Sequence, residues 1–199
     1  MNFKAQRETP VFAMDEEDPG PRPSARFAEL RKHKKSEAKR KEAERLLGSL
    51  EQRIGELVEI SNELKSKGVD IQLQDYMRFQ DLMSECLTFL IIIEKRLQKL
   101  EGTFVEGLYD KFDQLVVAIW SILLKGALRF FRIISEEEHL PLGSKDVFAR
   151  ELRSLHEAQE KLTSERYVKR VSKKMNKKLE KAELILLEVI EKAPGLLKL

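Results

Sequence analysis

An all-α fold is what this sequence predicts, and three observations predict it. Glycine and proline together supply 15 of 199 residues while Asp, Glu, Lys and Arg supply 36%, a balance that favours long helices over sheets joined by tight turns. No proline occurs between Pro23 and Pro141, so nothing in that span forbids an uninterrupted helix. Apolar residues recur in steps of three and four, the period of one helical face. The expected architecture is an elongated antiparallel four-helix bundle or coiled coil with long outer helices. A disordered N-terminal tail precedes it and a short C-terminal tail, 194–199, follows.

Residues 1–23 hold four of the six prolines and the acidic run Asp15, Glu16, Glu17, Asp18. Such a segment buries too little apolar surface to offset its ordering entropy, so a tail is expected. Within it Val11, Phe12 and Met14 adjoin the four acids, the composition of a short segment that docks on a partner's apolar and basic surface. The helical bundle is expected over 24–193. Ser24 is a fitting N-cap for helix one, 25–67. Its apolar line runs through Leu47, Leu50, Ile54, Leu57 and Leu64, with Ser61 as a polar interruption. Gly68 suits the end of that helix and Asp70 the start of helix two, 71–101. After Gly102, Thr103 and Glu106 have capping-box spacing and open helix three, 104–135. Pro141 and Gly143 stop that helix. Ser144 starts helix four, 145–192, whose apolar line is Phe148, Leu152, Leu155, Gln159, Leu162, then Val168, Val171, Met175, Ala182, Leu186 and Val189.

The middle helices differ in kind from the outer two. "CLTFLIII" (Cys86 to Ile93) and "LVVAIWSILL" (Leu115 to Leu124) are apolar on every side, and a helix apolar all round must be buried all round. A four-helix bundle leaves each member one face in solvent, so extra cover is expected. A second copy of the chain or a stable protein partner would provide it, docked through Phe89, Ile91, Ile92, Val116, Val117, Trp120, Phe130 and Phe131. Long outer helices bending over the middle pair are the competing explanation.

No window offers the ~20 largely uncharged apolar residues of a membrane-spanning helix, because Lys125, Arg129 and Arg132 interrupt the best candidate. One cysteine, Cys86, precludes an intramolecular disulfide, and the first twenty residues lack the order of a secretory signal. A cytoplasmic location follows, with membrane association as the alternative.

Charge is the second functional signal. The formal net charge is only +3, yet Arg31 to Glu42 carries Arg31, Lys32, Lys34, Lys35, Lys39, Arg40 and Lys41 against two acids. Arg166 to Lys181 carries Arg166, Lys169, Arg170, Lys173, Lys174, Lys177, Lys178 and Lys181 against Glu180 alone. On a continuous fourth helix the two runs come level with each other. Like charges gathered at one level repel, so an acidic partner is expected there: a protein, or else nucleic acid, anionic lipid or the acidic tail. Aromatic residues for stacking on bases are scarce, and no zinc-finger, helix-turn-helix or basic-zipper spacing occurs.

Chemical motifs are lacking. Glu136 to His139 is a single Glu-x-x-His spacing where a bundle di-iron site needs two, and there are three histidines in all. Glycine-rich phosphate loops are absent, and Cys86 lies in an apolar segment where a thiol acts as a small hydrophobe. The sequence therefore points to a non-enzymatic scaffold or adaptor without cofactor, metal or small-molecule substrate. A sequence-nonspecific nucleic-acid binder or a peripheral membrane protein is the alternative.

Overall fold

The computed structural model describes residues 25–67, 73–100, 102–136 and 144–196. The expected tail with Val11, Phe12 and Met14, and the turn residues Gly68, Asp70, Pro141 and Gly143, lie outside the described residues. Everything described is helical or turn. Five helices follow in order: α1 (Ala25–Lys67), α2 (Leu73–Leu97), α3 (Leu108–Glu136), α4 (Ser144–Thr163) and α5 (Lys173–Leu196), with 3-10 turns at Gly102–Val105 and Val168–Arg170. The chain divides into two compact units, Met1–Lys35 and Ser36–Leu199. In the first, Phe27 and Leu30 are exposed, and the Arg31 guanidinium lies 5.0 Å from the Phe27 ring centroid. Arg31, Lys32, Lys34 and Lys35 are exposed as well.

The second unit holds the core. From α1 the apolar stripe contributes Ala43, Leu47, Leu50, Leu57, Ile60 and Leu64, all buried, with Ile54 half-buried beside them. α2 adds Phe79, Met83, Cys86, Leu90, Ile93 and Leu97 at the same three-and-four spacing. Side chains also tie α1 to its neighbours: Arg53 pairs with Glu85, and Arg96 reaches Glu42 at 3.4 Å. The α2–α3 turn needs two glycines in left-handed backbone, Gly102 at φ 59° and Gly107 at φ 77°. Because Gly107 breaks the helical path, α3 begins at Leu108 instead of 104.

α3 is the central helix. It packs against α2, α4 and α5, and Phe112, Leu115, Val116, Ile119, Ile122, Leu123, Leu124, Ala127, Leu128 and Phe131 are buried nearly all the way round it. Each such side chain stabilises the fold by roughly 1.5–3 kcal/mol, which makes α3 the main contributor. By length and composition, Leu108–Arg132 is apolar enough to cross a membrane, contrary to the sequence expectation that no segment qualifies. Its apolar surface is spent largely on the protein's own interior, as in the core helix of many helical bundles.

The expected fourth helix, 145–192, is two helices. α4 stops at Thr163, the chain turns through 164–172, and α5 starts at Lys173. Serines shape the reversal. Ser164 Oγ donates to the Lys161 carbonyl at 2.7 Å, closing the end of α4, and Ser172 Oγ accepts from the Met175 amide at 3.3 Å as the N-cap of α5. Tyr167, 2% exposed, anchors the turn in the core, while Val168 is exposed. The reversal adds α5 to α2 and α4 as a wall of α3. Val116 and Phe131, expected on an assembly surface, are buried inside the chain itself, Phe131 with its ring against Phe148 of α4.

A candidate anion-binding cleft

Two groups of basic side chains emerge from the run Arg166–Lys181, and the reversal separates them. Arg166 sits at the turn, 2.7 Å from Asp113 and 3.3 Å from Glu94, with its guanidinium 5.3 to 5.9 Å from the ring centroids of Tyr167, Tyr109 and Phe112. Asp113 and the nearby negative groups outweigh the desolvation of Arg166 and raise its pKa further. Arg170 pairs with Asp110 at 2.6 Å. These two arginines are neutralised internally and clamp the turn onto α2 and α3, which removes them from a surface awaiting an acidic partner.

The lysines beyond the turn go elsewhere. Arg170 meets Asp110 near the start of α3, whereas Lys174–Lys181 face Ile122–Arg132 further along it, so α5 runs beside α3 in the same direction. Lys39, Arg40 and Lys41 of the first basic run do not meet them. Arg40 reaches the Glu106 carbonyl at the α2–α3 turn, and Lys41 pairs with Glu37 at 2.9 Å on its own helix. Ser61, the α1 residue beside the lysines, lies about 30 Å farther along the helix than Arg40. The expected shared level therefore fails for Lys39–Lys41 against Lys174–Lys181, because it assumed a continuous fourth helix. Lys39, Lys169 and Lys173 are exposed, outside the cleft described next.

Between α1, α3 and α5 lies a cleft of about 520 Å³. One wall is the α3 stripe Lys125, Arg129, Arg132, at i, i+4, i+7; the other is the α5 stripe Lys174, Lys177, Lys178, Lys181, at i, i+3, i+4, i+7. Such spacings place each set on one helical face. The floor is apolar, formed by Leu64, Tyr76, Phe79, Ile122, Leu128 and Met175 with Val58 at the edge. Seven cations and, among the described residues, no carboxylate line the site. Arg129 donates to the Ser61 carbonyl at 3.5 Å; burial, then the like charge of Arg132, lowers its pKa. The cleft lining is thus strongly basic.

Gly126 allows the floor to close. A Cβ there would lie 2.6 Å from the Phe79 ring, so only glycine lets α3 approach α2 so closely. Beneath the floor, the Gln80 amide donates to the Tyr76 hydroxyl at 3.0 Å and to Glu151 Oε1 at 2.9 Å. Burial first, then the nearby Glu151 carboxylate, raises the pKa of the Tyr76 hydroxyl. Glu151 is fully buried, and burial pushes its carboxyl above the usual glutamate range. This network holds α4 to α2 and keeps Tyr76 in place.

Other expected surfaces are divided. On α2, Ile91 is 55% and Ile92 41% exposed, while Phe89, Val117, Trp120 and Phe130 are half-buried against the core. Burial pushes the Cys86 thiol up to about 11, which leaves it protonated at neutral pH. Among the described residues, no group of three or more His, Cys, Asp or Glu side chains could hold a metal ion. The α3 cations are site residues that the sequence reading passed over, although their stripe spacing was visible as the interruptions of the apolar run. No family model, curated protein or solved structure matches this chain.

Proposed function

We propose that the chain is a non-enzymatic adaptor, a cytoplasmic helical bundle that receives an acidic protein segment in the cleft between α3 and α5. The observation that carries this reading is the pair of cation stripes facing each other across an apolar floor, with no carboxylate among the described lining residues. Gathering like charge opposes folding unless another demand retains it. The apolar floor favours a ligand that brings apolar side chains as well as acids, which is the pattern of a helix laid in a groove. Duplex nucleic acid offers phosphate alone, and the two floor aromatics, Tyr76 and Phe79, are buried too deeply to stack on bases.

Fluorescence anisotropy tests the reading with three labelled probes: a Glu-rich peptide with leucines at helical spacing, a random duplex, and vesicles containing anionic lipid. The peptide is expected to bind most tightly. Lys125→Glu with Lys181→Glu should weaken it about tenfold, while Lys39→Glu with Lys41→Glu should leave it unchanged. Equal loss from both pairs would show only diffuse attraction. Duplex or vesicle binding that exceeds peptide binding would replace the proposed partner.

A further inference from the structure

The lysine-bearing side of α5, whose first half borders the cleft, changes sign along its length. Lys174, Lys177 and Lys181 are followed by Leu184, Glu188 and Glu191, all six exposed. Their spacings are three, four, three, four and three, so they form one straight seam of the kind that faces a partner helix. Inward packing weakens along the same helix. Met175, Leu179 and Ala182 are buried, but no described α5 residue beyond Ala182 is, and Leu184 and Leu187 are 67% and 51% exposed. The second half of α5 therefore presents apolar side chains, flanked by acids, that the described residues do not cover.

Turned end for end, the seam matches itself. Two α5 helices crossing antiparallel with Ala182 and Glu183 at the centre place Lys174 beside the second copy's Glu191 and Lys177 beside the second copy's Glu188. Lys181 then lies against the second copy's Leu184, its aliphatic stem covering the exposed leucine. Two-fold symmetry makes each contact twice. We propose that this chain dimerises through antiparallel pairing of α5. The inference rests on the reading that the α5 wall accepts acids, and it names the second copy as a source of them.

Other occupants match half of the seam only. A lipid surface or a duplex would attract the lysines and repel Glu188 and Glu191 one or two turns away. A helix with the opposite order of charge satisfies both halves, and this chain carries one. Since charges occupy most of the seam, pairing is modest and salt-sensitive; its dissociation constant should rise about tenfold as salt goes from about 50 to about 500 mM.

Sedimentation equilibrium on the full chain at about 50 mM salt tests the pairing. Lys174→Glu with Lys177→Glu leaves the seam with four acids and Lys181 as its one base, and Glu188→Lys with Glu191→Lys makes it wholly basic. Each variant alone should be monomeric and as helical as the parent by circular dichroism. An equimolar mixture should form a heterodimer, and the chain with all four changes should regain the homodimer. A monomeric parent at about 200 μM, a variant that dimerises like the parent, or a mixture that stays monomeric would overturn the proposal. The Glu188→Lys, Glu191→Lys variant keeps every cleft cation, so it should still bind the Glu-rich peptide. Absence of peptide binding in that monomeric variant, whose lysines no second copy covers, overturns the cleft reading alone.

Discussion

Replacing Gly126 by alanine adds a single methyl group at the most crowded point of the cleft floor. The new carbon would stand 2.6 and 2.7 Å from two carbons of the Phe79 ring, where ordinary contact between carbons begins near 3.5 Å. The ring must therefore retreat by nearly 1 Å, and it is fully buried among α2 and α3 side chains. Overpacking of that kind costs about 1–3 kcal/mol. Alanine recovers up to about 1 kcal/mol of helix propensity, so a net loss of about 1–2 kcal/mol is expected. For a chain of this size that lowers Tm by about 2–8 °C. Urea denaturation measures the loss directly, and Phe79→Leu supplies a second arm: with the ring gone, Gly126→Ala should cost little, so the double-mutant cycle should show at least about 1 kcal/mol of coupling. An alanine variant as stable as the parent, or purely additive losses, would refute the close approach of α3 and α2.

Further outcomes follow from the same geometry. Glu151 binds its proton more readily when folded than when unfolded, so its contribution to stability is fully present below the ordinary glutamate range and is lost as pH rises through the raised value. Glu151→Gln should flatten that part of the stability profile and make the protein at least as stable as the parent at neutral pH, as thermal melts across a pH series will show. Ser172→Ala removes the cap of α5 and should cost about 1 kcal/mol, with amide exchange rising first at Lys174 and Met175. Lys177→Gln relieves repulsion from Lys174 and Lys181 within the α5 stripe; it should raise Tm slightly at low salt and not at high salt, while weakening acidic-peptide binding.

Much of the fold was legible because burial follows period. The expected α1 positions Leu47, Leu50, Leu57 and Leu64 are buried, and the all-round apolar character of α3 correctly marked it for burial on most sides. The reversal at 164–172 was harder to see, since no glycine or proline lies between Ser144 and Ala193 and the break is made by serine side chains and by ion pairs from distant helices. One local sign existed. The apolar line steps by six from Leu162 to Val168, which no helical face accommodates, and the true core residue, Tyr167, stands between them. The acids that absorb Arg166 and Arg170 lie on α2 and α3, so composition within the basic stretch could not reveal their neutralisation. The α3 cations were noticed for interrupting an apolar run, not for facing another helix, because facing depends on α5 turning back.

That reversal is also what joins architecture to function. A single long fourth helix would leave α3 short of cover and carry the basic residues of 166–181 as one undivided face. Broken at Ser164 and restarted at Ser172, the same residues do three things. Arg166 and Arg170 spend their charge on Glu94, Asp110 and Asp113 and fix the turn; Met175, Leu179 and Ala182 enter the core; and Lys174, Lys177, Lys178 and Lys181 are brought opposite Lys125, Arg129 and Arg132. The arginines that clamp and the lysines that line the cleft follow the chemistry of the two side chains. Guanidinium groups suit fixed, partly desolvated pairing with carboxylates and aromatic faces, whereas hydrated ammonium groups on flexible stems suit a surface that exchanges water for an incoming acid. Unclamping the turn should therefore weaken the cleft without touching a single residue that lines it.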